Sequence, residues 1–301
     1  MKGKLKLKGI LRQKSYLIFF LVLGTVLLIY TFSMLLPLGL ATITSLKSRV
    51  EYRQNPFGLP KIFEWKNYLT AFQSLYVTVV TENGLETFFL GRLMLNAIVI
   101  ACVNSFIPGW VNVFVAYLTV RFKDFKFSKI VVNTAIVMMM LPIGASLSVT
   151  LAFRKSIGMY DNLWMNLIPS LGWGGTGLFI YRSLFAGVGN TYCEAAEIDG
   201  AGEWTIMTRI MIPFVMPMYM AFFVMGVIGA WGDYSGTLVW LPSMPTIGYA
   251  LFSFNSSTVN EISHITVQMA GCMLTMIPVM IIFIIFHDFF MKQVNVGGIK
   301  G

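Results

Sequence analysis

Charged residues divide this chain into long apolar intervals. A helix rises about 1.5 Å per residue, so about 20 consecutive apolar residues suffice to cross a hydrocarbon core. Six uncharged intervals reach that length: 15–46, 93–120, 130–153, 162–181, 210–232 and 262–287. Each predicts a membrane-crossing helix. A seventh, 234–260, is as long, but Pro242, Pro245, Asn255 and a Ser-rich tip suit a loop in water. In the fourth interval, Pro169 precedes Gly172, Gly174 and Gly177. Neighbouring helices can satisfy backbone groups freed by Pro, and small residues allow close approach, so a kinked, tightly packed helix is expected there. The fold class is therefore all-α, a polytopic membrane protein with six transmembrane helices.

Composition supports this. Hydrophobic residues make up 56 % of the chain and charged ones 12 %, whereas a soluble domain carries about 25 % charged side chains. The net charge of +9, from 22 Lys plus Arg against 13 Asp plus Glu, raises the question of nucleic acid, which the placement of the cations answers. Lys2, Lys4, Lys6, Lys8, Arg12 and Lys14 precede the first interval, and Arg121, Lys123, Lys126 and Lys129 separate the second from the third. With the N-terminus inside, 14 of the 22 basic residues fall on the inner side, the bias that positions membrane proteins. Both termini are then cytoplasmic. The first apolar run is too long for a signal peptide and lacks a suitably placed cleavage site, so it is expected to persist as a helix.

Reactive constellations are sparse. Cys102, Cys193 and Cys272 lie far apart, His264 and His287 sit near opposite ends of the last interval, and HExxH is missing. Neither a metal site nor a catalytic group is expected. Gly172, Gly174 and Gly177 match GxGxxG but follow no strand, and no GxxxxGK[ST] occurs. Any ATP must act through another polypeptide. An ion-coupled secondary transporter would require acids within the membrane, whereas Asp233 and Asp288 stand at helix ends.

The richest polar segment is 190–213. Asn190 or Thr191 can cap a short helix with Glu194 in its first turn, followed by Ala195, Ala196, Ile198 and Asp199. Gly200, Ala201 and Gly202 turn the chain, and Trp204, Met207, Ile210 and Met211 form a helical stripe before Pro213. A helix-turn-helix elbow is predicted.

Glu194-Ala195-Ala196, Gly200-Ala201, Ile210 and Pro213 resemble the EAA loop of permease subunits in ATP-binding-cassette importers, with Ile212 in place of the usual Leu. The resemblance extends from about Arg92 to Gly301 and includes Asn96, Arg121-Phe122, Gly229-Ala230-Trp231 and the closing Gly297-Gly298-Ile299-Lys300-Gly301. It is closest to the carbohydrate-importing, maltose-permease-like branch, from which Gly232-Asp233 departs. This resemblance implies a permease core at 92–301 after a tail, first helix and external loop at 1–91. It also implies a bacterial cytoplasmic membrane location, a second homologous permease, an external solute-binding protein and a carbohydrate substrate, with a permease of the same superfamily for a non-sugar solute as the alternative. The cytoplasmic ATPase dimer would bind ATP and Mg, leaving this chain without cofactor or enzymatic activity. The elbow would dock on that ATPase through Glu194, Ala195, Ala196, Ile198, Asp199, Gly200, Ala201 and Trp204. Trp231, Asp233, Tyr234 and Gln268 become candidates for the substrate pathway, Trp231 by stacking on a sugar face or by anchoring at an interface. Asn104, Asn112 and Asn133 are further polar positions in the helices, suited to interhelical hydrogen bonds.

Overall fold

A computed structural model describes residues 14–81, 84–140, 147–259 and 262–294. Most of them are helical. In order, the chain forms α1 (Lys14–Ser45), α2 (Arg49–Gln54), α3 (Lys66–Ser74), a hairpin of β1 (Tyr76–Thr81) and β2 (Gly84–Phe89), then α4 (Leu90–Arg121), α5 (Lys126–Met140) and α6 (Leu147–Ser156). Two short 3-10 turns, Met165–Leu167 and Pro169–Leu171, lead to α7 (Gly175–Val188) and α8 (Thr191–Ile198). A single α-turn, Glu203–Thr205, and a π-helical turn, Ile206–Met211, precede α9 (Ile212–Trp231), α10 (Ser235–Trp240), α11 (Ile247–Asn255) and α12 (Ile265–Val294).

Four helical segments among the described residues are long and apolar enough to span a membrane: Tyr16–Ser45, Leu90–Arg121, Glu203–Trp231 and Ile265–His287. They coincide with the first, second, fifth and sixth predicted crossings. The third interval runs through α5 and α6, with 141–146 outside the described residues. The fourth is not the continuous kinked helix expected. Its first half is wound as 3-10 turns and ends at Gly172, while Gly174 and Gly175, at φ +134° and +70°, occupy conformations that glycine tolerates, so the helix begins only at Gly175. Two further expectations are corrected. The chain is not purely α-helical, because the β-branched run Val77-Thr78-Val79-Val80-Thr81 after Tyr76 pairs with 84–89 in an antiparallel register running from Tyr76 opposite Phe89 to Thr81 opposite Gly84. Nor is 234–260 a plain loop. It carries α10 and α11, the latter capped by Thr246 Oγ1 accepting from the Tyr249 N–H and burying Ile247, Ala250 and Phe254.

The described residues form two compact units, one within Met1–Ser74 and Ser257–Leu274, the other within Leu75–Ser256 and Thr275–Gly301. In the first, α1 is apolar around its whole circumference and almost wholly exposed, the surface of a helix that lipid or a partner must cover. Beyond it, Lys47 is 0 % exposed. Its ammonium donates to the carbonyls of Asn55 and Pro56 at 2.8 and 2.9 Å, which stand in for water around the charge. Asn67 Nδ2 donates to the Ser45 and Lys47 carbonyls, and Arg49 Nη1 lies 2.8 Å from His264 Nε2.

In the second unit α4 packs along α9 and α7. Their core contains Val113, Ala116 and Tyr117 of α4, Leu178, Tyr181 and Phe185 of α7, and Val215 and Tyr219 of α9. Gly109 permits this approach, since a Cβ there would meet Tyr219 Cε2 at 2.8 Å. Gly226 does likewise against Ser105.

Candidate functional site

Two sites emerge in this unit. The first is the elbow at 190–213. Helix α8 has Asn190 at its N-cap, without a side-chain capping bond, and Glu194 in its first turn. It ends in a reversal in which the Ala201 N–H donates to the Ala196 carbonyl, while Gly200 takes φ +80°. A Cβ at Gly200 would meet nothing within 4 Å, so the backbone angle, not crowding, requires glycine.

The elbow has two unlike faces. Inwardly, Cys193, Ala196, Ile206, Met207 and Met211 are buried in the same core as α4, α7 and α9. Ala196 owes its small size to this packing within the chain. Burial also pushes the Cys193 thiol above its ordinary value. Outwardly, Glu194, Ala195, Asp199 and Gly200 are exposed, and so are two large apolar side chains, Ile198 at 87 % and Trp204 at 71 %. Ala201 is partly buried. The predicted stripe is thus broken, with Met207, Ile210 and Met211 turned toward the core and Trp204 away from it. The π-helical winding of 206–211 changes the angular step between residues and removes the simple helical phase.

An ionic clasp joins this elbow to the end of α4. Arg121 Nε and Nη2 donate to Glu203 Oε1 at 3.0 and 2.7 Å, and Nη2 also pairs with Glu197. Tyr117 Oη donates to Glu203 Oε2 at 2.8 Å. Sequence reasoning missed the partnership of Tyr117, Arg121, Glu197 and Glu203. The only signal was an arginine closing one apolar interval and acids spaced through a loop some 80 positions later, as in the separation of 82 between Arg121 and Glu203.

The second site is a cavity of about 400 Å³ bounded by α4, the end of α6, the 163–169 segment and the 230–246 region. Asn104, Arg154, Asn166, Asp233, Thr237 and Trp240 supply its polar and aromatic lining. The Arg154 guanidinium lies 4.0 Å from the Trp240 ring centroid, and its Nη1 donates to Asn166 Oδ1 at 2.6 Å. Asp161 Oδ1 accepts from the Ser243 N–H and hydroxyl, tying the segment after α6 to that after α10. Asp233 Oδ1 accepts from the N–H groups of Ser235 and Gly236 and from Ser235 Oγ, which starts α10.

Of the four candidates for the pathway, Asp233 lines this cavity. Trp231 does not. It is 5 % exposed, and its Nε1 donates to the Thr275 carbonyl of α12 at 3.0 Å. Tyr234 stacks on Phe252, with ring centroids 4.3 Å apart and planes 1° from parallel. Gln268 belongs to the other compact unit. Asn112 accepts from the Gly174 N–H through Oδ1, and Asn104 lines the cavity. Arg154 and Trp240 were not singled out from sequence, because one closes an apolar interval and the other falls in the stretch expected to be a loop.

Comparisons with known proteins agree with this architecture. The chain is 24 % identical over 289 residues to the arabinooligosaccharides transport system permease protein AraQ of Bacillus subtilis (strain 168), covering 94 % of each chain. It is 26 % identical over 297 residues to the probable starch degradation products transport system permease protein AmyC of Thermoanaerobacterium thermosulfurigenes, covering 95 % of this chain and 97 % of that one. Its fold is similar to a chain in the crystal structure of a bacterial ABC transporter involved in the import of the acidic polysaccharide alginate. The TM-score is 0.55 at 14 % identity, over 94 % of this chain and 98 % of that chain. The family described as binding-protein-dependent transport system inner membrane component matches residues 111–296, which include the elbow and most of the second unit. With its multiple apolar spans and that match, this chain is a multi-pass membrane protein belonging to the family of binding-protein-dependent transport system inner membrane components.

Proposed function

We propose that this chain is one permease subunit of an ATP-driven importer that carries a sugar or oligosaccharide across a bacterial cytoplasmic membrane. It pairs with a second, homologous permease and receives its solute from an external binding protein. The elbow docks on a cytoplasmic ATPase dimer that binds ATP and Mg, and this chain itself catalyses nothing. Six crossings then comprise α1, α4, the region of α5 and α6, the segment ending in α7, α9 and α12, with both termini cytoplasmic. An impermeant thiol reagent added outside intact cells should label Thr258→Cys and spare Lys126→Cys, both exposed positions; the reverse pattern would invert this topology.

The two-faced elbow carries the reading. Ile198 and Trp204 project from a segment whose other face belongs to the helical core. Apolar side chains so exposed suit a partner's pocket. Because the core is close-packed, displacement of the elbow carries α7 and α9 with it instead of being absorbed locally. ATP-dependent closure of the partner then biases an equilibrium between inward-open and outward-open states.

For the cargo, the names of the relatives point to oligosaccharides. The 400 Å³ cavity combines amides, a carboxylate, a guanidinium and an indole, which suit the hydroxyls and apolar faces of a sugar. Asp233 is the pathway residue best placed for contact, with Asn104, Arg154 and Trp240 beside it.

The test is a combined Ile198→Ala and Trp204→Ala variant, assayed for ATPase co-purification and labelled-oligosaccharide uptake. Both side chains are exposed, so thermal stability should be unchanged. ATPase retention should fall about thirtyfold, the effect of losing a binding hot spot, with uptake falling alongside it. Parental retention would remove the elbow as the docking element.

A further inference from the structure

A second group of charged side chains in the same unit has no part in docking or in the sugar cavity. The last turn of α4, the following turn, the start of α5 and one position of α7 surround a cavity of about 260 Å³. Thr119, Lys123, Ser128, Lys129, Asn133 and Arg182 line it, and no carboxylate does. Glu197 and Glu203, the acids joined to this end of α4, are engaged by Arg121.

Ser128 Oγ donates to the Phe122 carbonyl at 2.6 Å, and Thr119 Oγ1 donates to the Val115 carbonyl at 2.8 Å. Neither hydroxyl proton is then free for a ligand. The remaining donors are two ammonium groups, the Asn133 amide and a guanidinium. Arg182 Nε is buried and has no hydrogen-bond partner among the described residues. Leaving a donor of a charged group without an acceptor is unfavourable, and two further cations beside it add repulsion. The cavity therefore gathers positive charge and donors that the chain itself leaves without a carboxylate partner in the lining.

We propose that this cavity binds a phosphate group, presented either by an anionic phospholipid or as free phosphate. A guanidinium offers a planar fork that matches phosphate oxygens, while the lysines act as mobile point charges. Phe127 and Ile130 are exposed on α5 next to Lys129 and offer an apolar bed for the acyl chains of a lipid. Basic pockets between membrane helices commonly receive such head groups. Arg182 is the fixed element, held on α7, and Lys123 and Lys129 close around the ligand.

The experiment uses the full chain in lipid nanodiscs and reads binding, not transport, so its result is independent of the docking and sugar assignments. In one arm, nanodiscs contain phosphatidylglycerol and phosphatidylcholine, and lipid retained by the released protein is measured by native mass spectrometry. In the other, phosphatidylcholine nanodiscs are dialysed against labelled inorganic phosphate. Retained phosphatidylglycerol supports a lipid source, and bound phosphate supports a free one. Arg182→Gln and Lys129→Gln should each weaken the observed binding about fivefold, the effect of one interfacial charge. Lys126→Gln, which removes an exposed cation outside the cavity lining, should leave it unchanged. Should Arg182→Gln not fold, the exposed Lys129 variant carries the comparison. Failure of the parent chain to bind either ligand, or an equal loss with Lys126→Gln, would overturn the proposal.

Discussion

Arg121 and Glu203 join the end of α4 to the elbow through two hydrogen bonds to one carboxylate oxygen, at 3.0 Å from Nε and 2.7 Å from Nη2. The Arg121 side chain is 15 % exposed and that of Glu203 45 %. This geometry restrains the elbow in direction as well as distance, which a lysine's single point charge would not do. A double-mutant cycle with Arg121→Gln and Glu203→Gln, read by thermal unfolding in detergent, should give a coupling of about 1 kcal/mol. Simple additivity of the two losses would show that the contact contributes nothing to stability.

Gly200 tests the turn itself. Its φ of +80° lies in the left-handed region, and the space around it is open. Gly200→Ala should therefore cost about 1 to 2 kcal/mol, whereas Gly200→Asn, whose side chain tolerates that region, should cost less. Thermal stability and proteolysis within 190–213 measure the difference. Equal behaviour of the two variants would mean that the angle is not what selects glycine.

Trp231 is held by α12 through its indole N–H. Replacing it by Phe keeps most of the ring and should cost about 1 kcal/mol for the lost hydrogen bond. Replacing it by Ala should cost about 3 to 5 kcal/mol, through the cavity left behind. If Trp231→Ala leaves stability at the parental level yet abolishes uptake, the residue acts on the cargo and not on packing.

Asp233 combines two tasks that substitutions can separate. Asp233→Asn retains the oxygen that accepts from Ser235 and Gly236, so α10 should remain intact while the charge in the cavity disappears. Uptake should fall about tenfold, as for loss of a hydrogen bond to a charged group, with stability unchanged. Asp233→Ala should add a stability loss of about 1 kcal/mol from the missing cap. Parental uptake by the Asn variant would remove the carboxylate from the pathway.

The long apolar intervals made α1, α4, α9 and α12 legible, because a continuous helix is the cheapest way to satisfy backbone groups in hydrocarbon, and its required length is short in sequence terms. The elbow was legible for a similar reason: its helix, turn and small residues lie within two dozen consecutive positions, and a glycine at the end of a short helix already implies the positive φ found at Gly200. The break at Gly172 and the hairpin at 76–89 were less visible. Glycine is compatible with both a close-packed helix and its termination, and a six-residue run of Tyr, Val and Thr is too short for periodicity to decide.

What only the tertiary structure decided are relationships across large separations. Nothing local in Arg121 designates Glu203 over the other acids, and nothing in Trp231 says whether the indole meets a cargo or the Thr275 carbonyl. Arg154 and Trp240 share a cavity because Asp161 is tied to Ser243 and the intervening chain returns between them. Such choices follow from competition for burial and for hydrogen-bond partners over the whole chain. The sequence determined that apolar helices must leave water and that the elbow must turn at Gly200; the packing of α4 against α7 and α9 decided which polar groups those helices bring together, because most buried donors take an acceptor that the folded chain places within reach.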